Sequence, residues 1–271
     1  MSVDETKKFG TKAYPIEANH TSSLLTRVEP MLTPELLRSR YLKGIDLKDF
    51  TDDELKDQII LATNEFESLT NLTVKKTQYK ERIPYDYALY RAFLFFKTNH
   101  RPILSVQSFV VESSNGEEIY RLPPDWLELG NAHRGQINFL PLLTIFGTSG
   151  VIATAAPSGA LIFLQSLVNY KYLAAFWTID YCVGLSHDDG KLPIIVNDII
   201  GMGAAIDILS IKQNQIKYSS QSISQDGIAQ SSSGLSTQTY QKRIDQLTAD
   251  KERLMKKIKQ IFNSKFFMSN I

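Results

Sequence analysis

The run LPIIVNDIIGMGAAIDILSI, residues 192–211, decides how the chain is built. Gly201-Met202-Gly203-Ala204-Ala205 matches part of a dinucleotide-binding fingerprint. That fingerprint needs its glycines in the turn after a strand, where backbone amides reach a pyrophosphate. Here they lie inside a helical pattern instead. Ile195, Ile199, Met202, Ile206 and Leu209 step by three and four and so share one helix face. The small residues then form a patch that a second helix can approach closely. Asp188 and Asp189 stand just ahead of the run and Pro193 lies at its start, and proline near a first turn is a helix-start signal. The spacing predicts a packed helix opening at Pro193, not a nucleotide-binding turn.

Other segments supply helices to pack against it. Thr51-Asp52-Asp53-Glu54 is a capping box, with a Thr cap and Glu three residues on. The helix behind it runs to about Leu69, with Leu55, Ile59, Ala62, Phe66 and Leu69 on one face. Its acidic first turn suits the positive end of the helix dipole. Thr33-Pro34 opens a shorter helix, PELLRSRYL. Near the C-terminus, TYQKRIDQLTADKERLMKKIKQIF places Tyr240, Ile244, Leu247, Leu254, Ile258 and Ile261 in a 4-3 stripe, with Lys251 at the odd position. About three repeats allow either a coiled coil or packing within a bundle.

From Leu72 to Cys182 the period shifts towards two, in β-branched and aromatic stretches such as TVKKTQYKERI, LFFKTN, ILSVQSFVV, EEIYRL, QINFL and KYLAAFWTIDYCV. Asn115-Gly116 is the strongest hairpin signal in the chain. The expected class is α+β: a helical bundle built from N- and C-terminal helices, a β-rich insertion and a long C-terminal helix. Residues 1–30 read as a polar, aperiodic arm. Residues 31–71 and 190–271 form the bundle with a polar linker at 218–236, and 72–189 form the insertion.

Within the insertion, 135–170 carries no charged residue and is long enough to span a bilayer. Pro141, Gly147, Gly150, Pro157 and Gly159 would break a spanning helix. The segment reads as two apolar pieces around a small-residue tip, to be buried against another chain. Leu142, Ile145, Phe146, Val151 and Ile152 are its candidate inter-subunit or tail contacts. The linker SSQSISQDGIAQSSSG, 219–234, is either a plain connector or a strap along a neighbouring surface. In the strap reading Ile223 and Ile228 are anchors and Asp226-Gly227 a turn.

Composition bounds the chemistry. The chain has 271 residues, 30 Lys+Arg against 29 Asp+Glu, and 43% hydrophobic residues, enough for a substantial core. Near-neutral charge argues against a surface that binds nucleic acid throughout. One cysteine, Cys182, forms no internal disulfide and no Cys-based zinc site. MSVDETKKFGTKAYP has no apolar core of a secretory signal, so synthesis inside the cell is expected. His20, His100, His133 and His187 are never three or four apart, as a helical metal pair requires. His187-Asp188-Asp189 reads as a polar turn, and Asp180 as a strand residue facing an interface or water. No G-x-S-x-G, P-loop or Cys/His pair occurs. No enzyme activity, metal or cofactor is expected.

Charge is unevenly spread, however. Residues 52–70 hold six acids and one lysine, net minus five, and 240–271 hold eight Lys/Arg and three acids, net plus five. These surfaces complement each other within one bundle or between copies. The end, Lys265-Phe266-Phe267-Met268, has the makings of a docking peptide. A salt-dependent nucleic-acid contact is the competing reading.

The order of elements resembles the head–tail connector (adaptor) proteins of tailed bacteriophages. The acid-capped helix is Thr51–Leu69. The Pro-hydrophobic-x-Ser-Val strand is PILSV, 102–106. The Tyr-x-x-Gly ending is Tyr181-Cys182-Val183-Gly184, and the proline-started, alanine-rich helix follows Pro193. The likeness spans about 31–217; the arm, the 135–170 segment and the long last helix depart from the pattern. It implies a structural virion protein at the neck, assembled in the host cytoplasm. Such proteins form a ring of identical copies, typically twelvefold, between the portal protein and a downstream tail or tail-completion protein. Double-stranded DNA passes through the lumen without sequence-specific binding. The C-terminal segment docks on the portal, which assigns that role here to Lys256, Lys257, Lys259, Phe262, Phe266 and Phe267. No membrane and no cofactor are implied. The alternative is a membrane-associated protein inserting 135–170, or a DNA-binding accessory protein using the basic last helix.

Overall fold

The structure is a computed structural model that describes residues 13–18, 23–86, 95–112, 115–139, 171–186, 189–219, 224–225, 228–229 and 237–263. In chain order the first elements are β1 (Ile16–Glu17), α1 (Ser23–Thr26), β2 (Val28–Pro30), α2 (Pro34–Arg40) and α3 (Asp52–Thr70). Next come β3 (Thr77–Asp86), β4 (Phe95–Lys97), β5 (Ile103–Glu112), β6 (Glu118–Arg121), β7 (Leu127–Glu128), β8 (Gln136–Phe139) and β9 (Tyr172–Val183). The last are β10 (Lys191–Pro193), α4 (Ile194–Ser219), β11 (Ser224–Gln225), β12 (Ile228–Ala229) and α5 (Thr237–Asn263). The class is α+β, with a long C-terminal helix. The chain divides into two compact units, Met1–His20 with Lys75–Leu185, and Thr21–Val74 with Ser186–Ile271.

The first unit is antiparallel β. Its main sheet runs β1-β5-β9-β3, with β6 added to β5, and a second sheet runs β4-β8-β7. The alternation in β3 leaves Gln78, Lys80 and Arg82 exposed while Tyr79, Glu81 and Ile83 are half-buried, the mark of a sheet with one wet face. The core is aromatic. Phe96, Phe109 and Trp177 are buried with ring centroids 5.0–5.4 Å apart, close enough for stacked and edge-on contacts. Ile103, Val106, Ile179, Tyr181 and Val183 continue it. β5 and β6 pair Glu112 with Glu118, so the Asn115-Gly116 signal marks a real hairpin, with Gly116 at φ +84°. A bulge in β9 sets Ala175 at φ +49°, opposite the register break at Ile83/Tyr85.

The second unit is helical. Thr51 Oγ1 accepts from Glu54 N–H at 3.3 Å and Glu54 Oε2 accepts from Thr51 N–H at 2.7 Å, completing the capping box. Thr33 caps α2 in the same way, accepting from Leu36 N–H. Along α3 the buried residues are Leu55, Ala62, Phe66 and Thr70. The expected Leu69 is half exposed, because the step of four from Phe66 lands on Thr70, whose hydroxyl donates to Phe66 O at 2.6 Å.

Helix α4 lies at the centre and packs on α1, α3 and α5. It starts at Ile194, one residue later than expected. Lys191–Pro193 is a strand paired with β2, with Pro193 opposite Val28, and Ile194 N–H donates to Arg27 O. A residue before proline is biased to extended backbone, which suits Leu192 to a strand. Burial wraps α4 more widely than the single expected face: Val196, Ile200, Ala204, Ala205 and Ile208 join Ile195, Ile199 and Leu209, while Met202 and Ile206 are half-buried. Ile194–Asn214 has the length and hydropathy of a membrane span, but 61% of it is buried, as in a core helix. The glycines serve packing. A Cβ on Gly201 would sit 2.4 Å from the Tyr41 ring, and one on Gly203 3.3 Å from Ala62 Cβ and Lys251 Nζ.

The described parts of the 1–30 arm, residues 13–18 and 23–30, carry local structure that its composition does not suggest. Ile16 pairs with Val106 and Glu17 with Ser105, and β2 pairs with β10. Backbone pairing needs no hydrophobic period, so it leaves no periodic trace. In the linker, β11 and β12 pair with Ser224 opposite Ala229 and Gln225 opposite Ile228. Asp226-Gly227, which joins them, lies outside the described residues.

Candidate functional site

Two places merit weighing: the junction of the two strand motifs and the basic outer side of α5. At the junction, Val106 of PILSV stands directly opposite Tyr181, the first residue of the Tyr-x-x-Gly ending. Gly184 N–H donates to Pro102 O at 3.1 Å. Gly184 has φ +147°, and a Cβ there would lie 2.8 Å from Lys76 Cα and 2.9 Å from Lys76 N. Only glycine meets both demands. The two motifs, about 80 residues apart in sequence, are therefore one packed feature.

Tyr181 ends in a polar cluster. Burial drives its phenol well above the usual tyrosine range, and a hydrogen bond to Glu81 adds to this. His100 N–H donates to Tyr181 Oη at 3.4 Å, and the His100 ring stacks on Tyr79 with centroids 3.8 Å apart. His100 Nε2 lies 3.6 Å from Glu81 Oε1. The Thr98 hydroxyl lies 2.8 Å from His100 O and 3.0 Å from Gly135 O and shares its one hydrogen between these carbonyls. The cluster fastens the 98–100 turn to β3 and β9; its hydroxyls are already engaged. Among the described residues no three His, Cys, Asp or Glu side chains converge as a metal site would require. Asp180 accepts from Gln78 Nε2 at 2.7 Å, and Asp189 pairs with Lys191 at 2.6 Å. His20, His187 and Asp188 lie outside the described residues.

On α5 the 4-3 stripe faces the bundle. Leu247, Met255, Ile258 and Phe262 are buried, and Ile244, Leu254 and Ile261 are half-buried. Phe262 is 2% exposed, so it belongs to its own subunit's core and presents no surface for docking. Met255 and Phe262 escape a stripe read strictly from every heptad's first and fourth residues, because a bundle seam is wider than a coiled-coil seam. Lys256, Lys257 and Lys259 are exposed, and among the described residues no carboxylate is paired with them. At about 100° per residue, Lys256 and Lys259 lie on one flank of the helix and Lys257 on the other. Phe266, Phe267, Leu142, Ile145, Phe146, Val151, Ile152 and Ile223 lie outside the described residues; for Ile228 only the backbone is described.

The acidic helix is less free than its charge suggests. Asp52 pairs with Arg38, Asp53 with Lys56, and Glu65 with Lys251. Glu67 accepts from Val74 N–H at 2.7 Å. Sequence periodicity missed a feature on the same helix: Ile60 is 53% and Leu61 56% exposed. Their adjacency broke the expected face, and that break was the available signal.

No family model matches the chain, and no curated protein matches it. Among solved structures, the chain is similar to one in the neck of an empty gene transfer agent particle computed with C6 symmetry. That match has TM-score 0.42 and 13% identity, covering 82% of this chain and 94% of the other. A chain in the virion of a native gene transfer agent particle is similar at TM-score 0.40 and 13% identity, covering 81% and 94%. At that identity and those scores the likenesses assign no role to any residue of this chain.

Proposed function

We propose that the chain is a structural component of a virion neck: a head–tail connector that forms a ring of identical copies between portal and tail and extends the DNA channel. The observation that carries this reading is the joined motif pair, PILSV registered against Tyr181–Gly184 with Gly184 sterically obligatory. The capped α3 and proline-preceded α4 stand before and after it in the order the connector pattern has. A ring closes through a head-to-tail interface, so the energy of assembly lies in surface buried between copies. The 135–170 segment, with Leu142, Ile145, Phe146, Val151 and Ile152, is proposed to supply part of that surface or the tail contact. The role is structural and needs neither cofactor nor membrane. DNA in the lumen would be passed, not gripped, because strong phosphate binding slows passage.

Portal docking is assigned to Lys256 and Lys259, which share a flank, together with Phe266 and Phe267. The test is electron microscopy and co-sedimentation of the full chain with portal particles. The expected result is a ring seated on the portal, lost in Lys256→Glu/Lys259→Glu while circular dichroism stays unchanged. A chain that never seats on a portal overturns the connector reading; seating indifferent to both lysines overturns the docking assignment.

A further inference from the structure

We infer that α3 and α5 are the two halves of a head-to-tail contact between copies of this chain, with Asp57 of one copy meeting Lys257 of the next. The inference rests on the ring reading for closure and names the surface that closes it. On α3, Asp57, Ile60 and Leu61 are neighbours by the three- and four-residue steps of a helix. They point away from the arc of Leu55, Ala62, Phe66 and Thr70 that faces the bundle. All three are exposed, Ile60 and Leu61 by more than half, and among the described residues Asp57 is paired with no cation. Burying Ile60 and Leu61 against another chain would be favourable, and Asp57 between them would then need an opposite charge facing it.

The matching piece is on α5. Leu254 and Ile261 are half-buried, three residues before and four after Lys257, so the three form one flank. Among the described residues no carboxylate is paired with Lys257. One face is apolar–acid–apolar and the other apolar–base–apolar. Lys251 pairs with Glu65 inside the subunit, so the charge match between these helices is already used once locally and is left open at Asp57 and Lys257. A two-fold contact would set α3 against itself and bring Asp53 and Asp57 towards their own copies. Like charges disfavour that. A contact of α3 with the next copy's α5 is heterologous and repeats, as a ring demands. The occupant is therefore a second copy of the chain.

The experiment is sedimentation velocity on the full chain across concentration, for wild type, Asp57→Lys, Lys257→Asp, their equimolar mixture and the double variant. Both positions are exposed, so the variants keep the wild-type circular dichroism. Each single variant is expected to weaken self-association by about tenfold or more. The mixture and the double variant recover it, because every interface again joins opposite charges. Should the wild type assemble only on portal particles, the same set is scored by ring occupancy there. Singles that assemble like wild type, or a mixture that fails to recover, overturn this contact and leave the ring standing. A chain monomeric both alone and with portal overturns both.

Discussion

Lys251 Nζ lies 2.6 Å from Glu65 Oε2, tying the last helix to the acid-capped helix across Gly203 of the central one. Lys251 is the residue that breaks the apolar stripe of α5, and its side chain is only 17% exposed against 47% for Glu65. The odd position of the stripe is thus a polar cross-tie. Because one partner is largely solvated, a double-mutant cycle with Lys251→Met and Glu65→Gln is expected to give a coupling of about 0.5–1 kcal/mol. Urea unfolding measures it; a coupling indistinguishable from zero removes the tie.

The two glycines of α4 separate sharply. Gly201→Ala places a methyl 2.4 Å from the buried Tyr41 ring, whose hydroxyl is held by Asp198 Oδ1 at 2.6 Å, so the ring cannot swing away freely. Overpacking is expected to cost about 1–3 kcal/mol even after the helix-propensity gain. Gly203→Ala meets Ala62 Cβ and the flexible Lys251 end at 3.3 Å, and should fall within about 1 kcal/mol of wild type. Thermal melts of the pair check the order.

Gly184→Ala should be the most damaging single methyl in the β unit. The left-handed backbone and the Lys76 backbone 2.8 Å from the new carbon combine strain with a clash that no side-chain rotation relieves. A loss of about 3 kcal/mol or more is expected. Loss of the near-ultraviolet signal of the buried Trp177 cluster reports it, and a native-like spectrum and melt would contradict it.

Glu112 predicts a pH dependence. Its carboxylate accepts from Lys80 at 2.7 Å, Arg82 at 3.0 Å and Thr178 at 3.2 Å, and these bonds, led by Lys80, hold it below the ordinary carboxylate range. A lowered folded-state value means stability fully present above the unfolded value near 4.3 and lost as pH falls through the folded one. Because Lys80 and Arg82 are solvent-exposed, Glu112→Gln should cost about 0.5–1 kcal/mol at pH 7, and the gap to wild type should narrow in acid. A gap constant between pH 7 and pH 3 refutes the assignment.

Much of the fold was legible because local chemistry leaves a trace at short range. Thr51 and Glu54 sit three apart and each satisfies the other's backbone amide, so their spacing alone marks a helix start. Asn115-Gly116 marks a hairpin because the backbone there must turn through positive φ. The candidate site was harder to read. Phe262 looked like part of an aromatic tail, yet a 27-residue helix carries it into the subunit's own core. The basic tail read as one patch, but helical rotation puts Lys257 on the opposite flank from Lys256 and Lys259.

Taken alone, the residue order determined the class of each segment: period two in the middle, period 3.6 at the ends, with caps and turns between. Those properties belong to neighbours a few residues apart and survive without any tertiary contact. The three-dimensional arrangement decided everything that depends on distant partners. It chose Ile16 as a strand against Val106, matched Val106 to Tyr181, spent the acids of α3 on Arg38, Lys56 and Lys251, and left Asp57, Ile60 and Leu61 facing outward. Burial and ion pairing are properties of space rather than of spacing, and only the packed chain sets them.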